Sequence, residues 1–131
     1  MITFLKAEEQ HQHSNGGGWV ANTAVVAASA YIGPDAQVFG NARVYGDAWV
    51  FGNARVYGNA RVYGDARVFG NAQVYGNARV SGNAQVYGKA WVYGKAWVYG
   101  KAWVYGDARV YGDAQETTPP TQDHHRRPCV R

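Results

Sequence analysis

The chain reads as an all-β protein, a parallel β-helical solenoid, and three observations predict it. Every sixth residue from Val20 to Val110 is Val, with Ile32 the one exception, so sixteen consecutive aliphatic positions share a single spacing. Between them runs a near-constant unit of Asn, Asp or Lys, then Ala, a variable residue, Val, an aromatic residue and Gly, as in residues 41–46 (NARVYG) and 65–70 (DARVFG). A Gly-Asn or Gly-Asp pair recurs at the same interval and lets the chain turn, because Gly tolerates positive φ and Asn or Asp resists it less than other residues do. One such unit buries no apolar face alone; stacked copies do.

Taken in order, residues 1–18 combine a short β-like start (Ile2 to Leu5) with a polar run and three glycines. They are expected to be a flexible lead-in or a loose N-terminal cap. Residues 19–115 carry the repeat. Within a unit, Ala and Val lie two apart, so in an extended segment both point to one side while the variable residue and the aromatic point to the other. An antiparallel meander is the rival arrangement, since Gly-Asn also signals a hairpin. Its pairing would set Tyr45 opposite Ala48, Val44 opposite Trp49 and Val56 opposite Arg61, and opposed side chains share a face. Neither face would then be a core. Parallel stacking places Val on Val and Ala on Ala throughout. Six residues per side suggest a triangular coil of eighteen residues, about five coils in all, spaced by about 4.8 Å. The pattern leaves the number of sides and the handedness open, and the usual crossover rule favours right-handed connections. Residues 116–131 abandon the repeat with three prolines and scattered charge, and are expected to be a disordered tail. A last coil needs a cover for its unpaired backbone, from this tail or from another chain.

The repeat resembles that of the hexapeptide-repeat proteins, whose unit has an aliphatic residue and, four positions later, a small one, here Val44 and Ala48, then Val50 and Ala54. The resemblance spans residues 19 to 115. It implies a left-handed parallel β-helix with three sides, supplying what the pattern leaves open. More narrowly, Gly17-Gly18-Trp19-Val20 followed by NARVYG-type units is similar to the opening of a group of bacterial and phage-encoded members. This implies a phage or prophage origin, with no settled biochemical role.

Composition bounds the rest. At 131 residues the chain is one domain. No segment approaches the roughly 18 to 20 apolar residues of a membrane span, and no secretory signal is evident in the first ten residues. A cytoplasmic location, or one in a phage particle, is expected, with no membrane partner. The lone Cys129 excludes an internal disulfide. Net charge is +4, and between Trp19 and Gln115 nine Arg and Lys face five Asp. A modest surplus spread around three sides makes nucleic acid a disfavoured partner.

The eighteen-residue coil predicts which outward residues stack. Aromatic columns run through Phe39, Tyr57, Tyr75, Tyr93 and Tyr111, through Tyr45, Tyr63, Ser81 and Tyr99, and through Phe51, Phe69, Tyr87 and Tyr105. Beside them run Gln37, Arg55, Gln73, Trp91 and Arg109; Arg43, Arg61, Arg79 and Trp97; and Trp49, Arg67, Gln85 and Trp103. Such ladders hold coils together, and the same residues offer a contact surface. Trp49, Trp91, Trp97, Trp103, Tyr57, Tyr75, Tyr93, Tyr99 and Tyr105 are the candidate interface. Residues 89–106 repeat KAWVYG three times over one coil. Trp91, Trp97 and Trp103 therefore fall on three different sides, a belt suited to separate neighbours in a trimeric or lattice assembly. Arg43, Arg61 and Arg79 are the candidate contact for a glycan or another polyanion.

Catalysis is not expected. The resemblance brings in acyltransferases, which use a His as general base, and carbonic anhydrases, which need three His on a metal. No His occurs between Trp19 and Gln115; His11, His13, His124 and His125 all lie in the flanks. Those coils also lack Cys and Glu, and Thr apart from Thr23, so neither a nucleophile and base nor a metal triad can be assembled. No catalytic residue, metal or cofactor is assigned. The reading is a non-catalytic structural or interaction solenoid that self-associates through its aromatic faces or docks another protein. The alternatives are a glycan- or polyanion-binding module, and an acyltransferase relative lacking its catalytic His.

Overall fold

A computed structural model describes residues 10–116. Eighteen strands and no helix make up these residues. The first four are β1 (Gln10–Gln12), β2 (Trp19–Ala21), β3 (Val25–Val26) and β4 (Tyr31–Ile32); two-residue strands then recur once per unit from Gln37–Val38 to Gln115–Glu116. From β2 onward every pairing is parallel and joins residues eighteen apart, as in Arg43 with Arg61 and Val44 with Val62. The chain thus winds as a three-sided parallel β-solenoid of about five coils. The first sheet holds β1, β2 and the strands of Gln37, Arg55, Gln73, Trp91 and Arg109; the second, those of Val25, Arg43, Arg61, Arg79, Trp97 and Gln115; the third, those of Tyr31, Trp49, Arg67, Gln85 and Trp103.

Alternation fills the interior. Ile32 and the valines from Val38 to Val104 are fully buried, as are the alanines from Ala30 to Ala102. The core is therefore columns of Val and of Ala, each residue stacked on its equivalent one coil away. The rival meander is excluded by these registers, since from β2 onward every ladder is parallel and inward Val stands on inward Val, as Val44 on Val62. Corners are set by glycine. From Gly40 to Gly112 the unit's Gly has φ between 64° and 71°. At Gly64 a Cβ would stand 3.0 Å from the amide nitrogen of Gly82, so the corner needs glycine for close approach as well as for its dihedral.

The N-terminal end is closed by more than a lead-in. β1 pairs antiparallel with β2, Gln10 with Ala21 and Gln12 with Trp19. The turn that follows bonds to the third sheet, with Gly18 N–H donating to Ile32 C=O (2.9 Å) and Ile32 N–H to Asn15 C=O (3.0 Å). His13, expected in a flexible flank, is buried, and its Nε2 lies 2.8 Å from the Ala30 carbonyl. Two of the three sheets are covered in this way. β3, at the end of the second sheet, has a single sheet neighbour, and its Val25 is the most exposed large apolar side chain among the described residues, at 59 %. The residues expected to form the tail, apart from Glu116, lie outside the described residues, as do His124, His125 and Cys129.

Candidate functional site

The outer surface is the place to look, because the interior is filled by Val and Ala. Its columns stand where the eighteen-residue coil predicts them. On the first face Phe39, Tyr57, Tyr75, Tyr93 and Tyr111 stack ring on ring, with centroids 4.7 to 5.3 Å apart and planes within 12°. Tyr45 on Tyr63 (4.9 Å, 2°) continues this on the second face, and Phe51, Phe69, Tyr87 and Tyr105 on the third. Parallel strand spacing of about 4.8 Å matches the preferred offset distance of aromatic rings. The ring faces are thus spent on one another, and the edges and hydroxyls point outward.

Stacking also shapes the phenols. Burial raises the pKa of Tyr57 against the opposing pull of the Arg55 guanidinium. Tyr75 is raised by burial and then by its stacked neighbours Tyr57 and Tyr93, and Tyr87 by burial and Tyr105. In each case the environment disfavours the phenolate. These groups are held neutral, which suits packing and hydrogen bonding rather than proton transfer.

The tryptophans lie on three faces but do not share one environment. Trp91 is half-buried, edge-on to Tyr75 (6.2 Å), with the Arg109 guanidinium 4.4 Å above its ring. Trp97 folds over the one break in the aromatic columns. Its Nε1 donates to Ser81 Oγ at 3.1 Å, and Ser81 is buried as a result, only 6 % exposed. Tyr99 packs against it at 4.7 Å, and Arg79 sits 5.7 Å from its centroid. Trp49 and Trp103, by contrast, are exposed. Both stand in one column of the third face, three coils apart. Of the candidate interface, Tyr57, Tyr75, Tyr93, Tyr99 and Tyr105 are half-buried in their ladders. The exposed indole surface therefore gathers on one side. Sequence reasoning placed each Trp on its face and missed which would be covered.

Arg43, Arg61 and Arg79 form an unbroken column on the second face. They line a groove of about 490 Å3 with Asn41, Asn59 and Asn77. Asp47 and Asp65 share a corner column on the third face beside Arg67. Among the described residues no group of three His, Cys, Asp or Glu is placed to hold a metal ion, and no helix is long and apolar enough to cross a membrane.

A three-sided coil with an aliphatic interior and patterned flat faces defines a β-solenoid repeat protein, whose chemistry is carried on its outside. The family model described as YdcK beta solenoid repeat matches residues 36–52, 48–62, 54–70, 60–73, 72–88, 84–100 and 102–117. These cover more than half of the chain, which belongs to that family. No curated protein and no solved structure matches it.

Proposed function

We propose that the protein is a non-catalytic interaction solenoid that self-associates through its third face. The observation that carries this reading is the gathering of exposed indole on that face, Trp49 at 45 % and Trp103 at 41 % exposure. A second copy fits it. Along the axis the column runs Trp49, Arg67, Gln85, Trp103, and the corner column beside it Asp47, Asp65, Asn83, Lys101. Turned end for end about a two-fold axis between Arg67 and Gln85, a second copy brings Trp49 against Trp103 and Asp47 against Lys101, twice over. A self-complementary patch of this kind is what an isologous dimer requires.

Size sets the expected strength. A side of six residues at about 3.3 Å each and five coils at about 4.8 Å each give about 480 Å2 per partner. Doubled, this is about 1,000 Å2, the low end for specific association. The dimer should therefore be weak and concentration-dependent. Size-exclusion chromatography with light scattering tests it: mass should rise with concentration, and Trp49→Ala with Trp103→Ala should hold the protein monomeric. Asp47→Lys should weaken the dimer and Lys101→Asp added to it should restore it. A monomer at every concentration, or equal loss from Trp91→Ala with Trp97→Ala, would defeat the proposal. A phage or prophage origin rests on the Gly17 to Val20 opening and the NARVYG-type units after it, and neighbouring phage genes are its test.

A further inference from the structure

The second face carries a charge pattern that neither the repeat nor self-association on the third face accounts for. In every unit the corner residue lies two before the outward one. Arg55 follows Asn53 but is a lone cation between Gln37 and Gln73, while Arg67 follows Asp65 and Arg109 follows Asp107, so a carboxylate accompanies each of these two. Arg43, Arg61 and Arg79 instead follow Asn41, Asn59 and Asn77. The groove they line contains no Asp or Glu. It continues into a second hollow of about 340 Å3 that shares Asn77 and Arg79 and adds Lys95 and Trp97. By comparison, the third-face groove holds Asp47 and Asp65, and the first-face groove holds Asp107. Like charges stacked at strand spacing repel one another, so three arginines in register are a cost to the fold that an anionic ligand would relieve.

We propose that this groove binds an acidic polysaccharide along the solenoid axis, its carboxylates meeting the arginine column. The cations recur at about 4.8 Å along the axis, and a carboxylated sugar chain laid there offers them acid groups with hydroxyls between. The neighbouring aromatics point the same way. Single-stranded nucleic acid needs open ring faces on which bases stack, but Tyr45 and Tyr63 lie face to face at 4.9 Å. Their hydroxyls, with the amides of Asn41, Asn59 and Asn77, provide partners for sugar hydroxyls instead. Guanidinium forks suit carboxylates held in this way.

Affinity electrophoresis of the full chain in gels containing polygalacturonate, with dextran as the neutral polymer, tests the proposal. Polygalacturonate should retard the protein and dextran should not. Replacing Arg43, Arg61 and Arg79 by Gln should weaken binding about tenfold. A charge-matched control with Arg55, Arg67 and Arg109 replaced by Gln should retain it. Absent retardation, or equal losses in both triple variants, would overturn the groove and leave only net charge. Displacement by single-stranded DNA or polyaspartate at lower charge concentration than by free polygalacturonate would overturn the ligand class. Neither outcome bears on the third-face dimer, whose residues the Arg43, Arg61 and Arg79 variant leaves intact.

Discussion

Gly64 and Gly112 have nearly the same backbone, φ 70° and 66°, but only Gly64 has another coil beneath it. Replacing each by Ala therefore separates two costs that the repeat normally combines. Holding an L-residue at positive φ costs about 1 to 2 kcal/mol, of which about 0.4 to 1 kcal/mol is offset by the stiffer unfolded chain. That is all Gly112→Ala should lose, about 1 kcal/mol, since a Cβ there meets nothing within 4 Å. At Gly64 the Cβ would lie 3.0 Å from Gly82 N and 3.3 Å from Gly82 O. The coils must part by a few tenths of an ångström, straining the ladder bond from Asp65 N–H to Gly82 C=O (2.9 Å). Overpacking of this kind adds about 1 to 3 kcal/mol, for a total of about 3 kcal/mol. At about 4 to 8 °C per kcal/mol, the Gly64 variant should melt about 10 °C below the Gly112 variant in calorimetry, and urea midpoints should follow. Gly40, near the opposite end of the prism, meets Gly58 N at 3.0 Å and should behave as Gly64 does, which separates coil contact from end fraying. Equal losses at Gly64 and Gly112 would refute the argument that coil-to-coil approach fixes glycine at the corners.

Further outcomes follow from the outer surface. Ser81→Ala removes the acceptor for Trp97 Nε1 and should cost about 1 kcal/mol, read as a red shift in tryptophan emission with a lower urea midpoint; unchanged emission would mean that Trp97 is held by Tyr99 and Arg79 alone. Tyr57, Tyr75 and Tyr87 have pKa values raised above 10.0 in the folded chain. The unfolded chain therefore releases these protons first, and stability is full below pH 10 and falls as pH climbs through the folded values. Urea midpoints should drop as pH rises above about 10, and less so in Tyr75→Phe.

The interior was legible because a period of six leaves one consistent solution: Val and Ala alternate inward, and only parallel stacking keeps them there. The eighteen-residue columns followed from that, and Tyr57 stands on Tyr75 as the arithmetic requires. The cap was less legible. Gln10, His11 and Gln12 have no strand-like side-chain pattern, because the pairing of β1 with β2 rests on backbone bonds and register rather than on an apolar face. His13 looks like a solvated flank residue until the turn brings Ala30 within hydrogen-bond reach. The candidate surface was legible by column and not by exposure, since the exposure of a large side chain depends on its diagonal neighbours.

That diagonal is the second code in this chain. Tyr57 Oη donates to Gln73 Oε1 (2.8 Å), Trp97 to Ser81, and Tyr99 to Gln115 (3.3 Å), each pair sixteen residues apart. Tyr75 and Trp91 share that separation. An aromatic of one coil thus meets the variable residue of the next coil, two places before its own stacking partner. Three identical KAWVYG units consequently have different surroundings: Tyr75 lies diagonal to Trp91, Ser81 to Trp97 and Tyr87 to Trp103. Tyr75 offers an edge contact and Ser81 a gap, so Trp91 and Trp97 are drawn down. Trp103, diagonal to Tyr87, stays exposed at 41 %. The six-residue period specifies a fold any copy of the unit could share. What distinguishes this protein's faces, exposed indole on the third and a column of three arginines on the second, is written in departures that only a coil-long reading brings together.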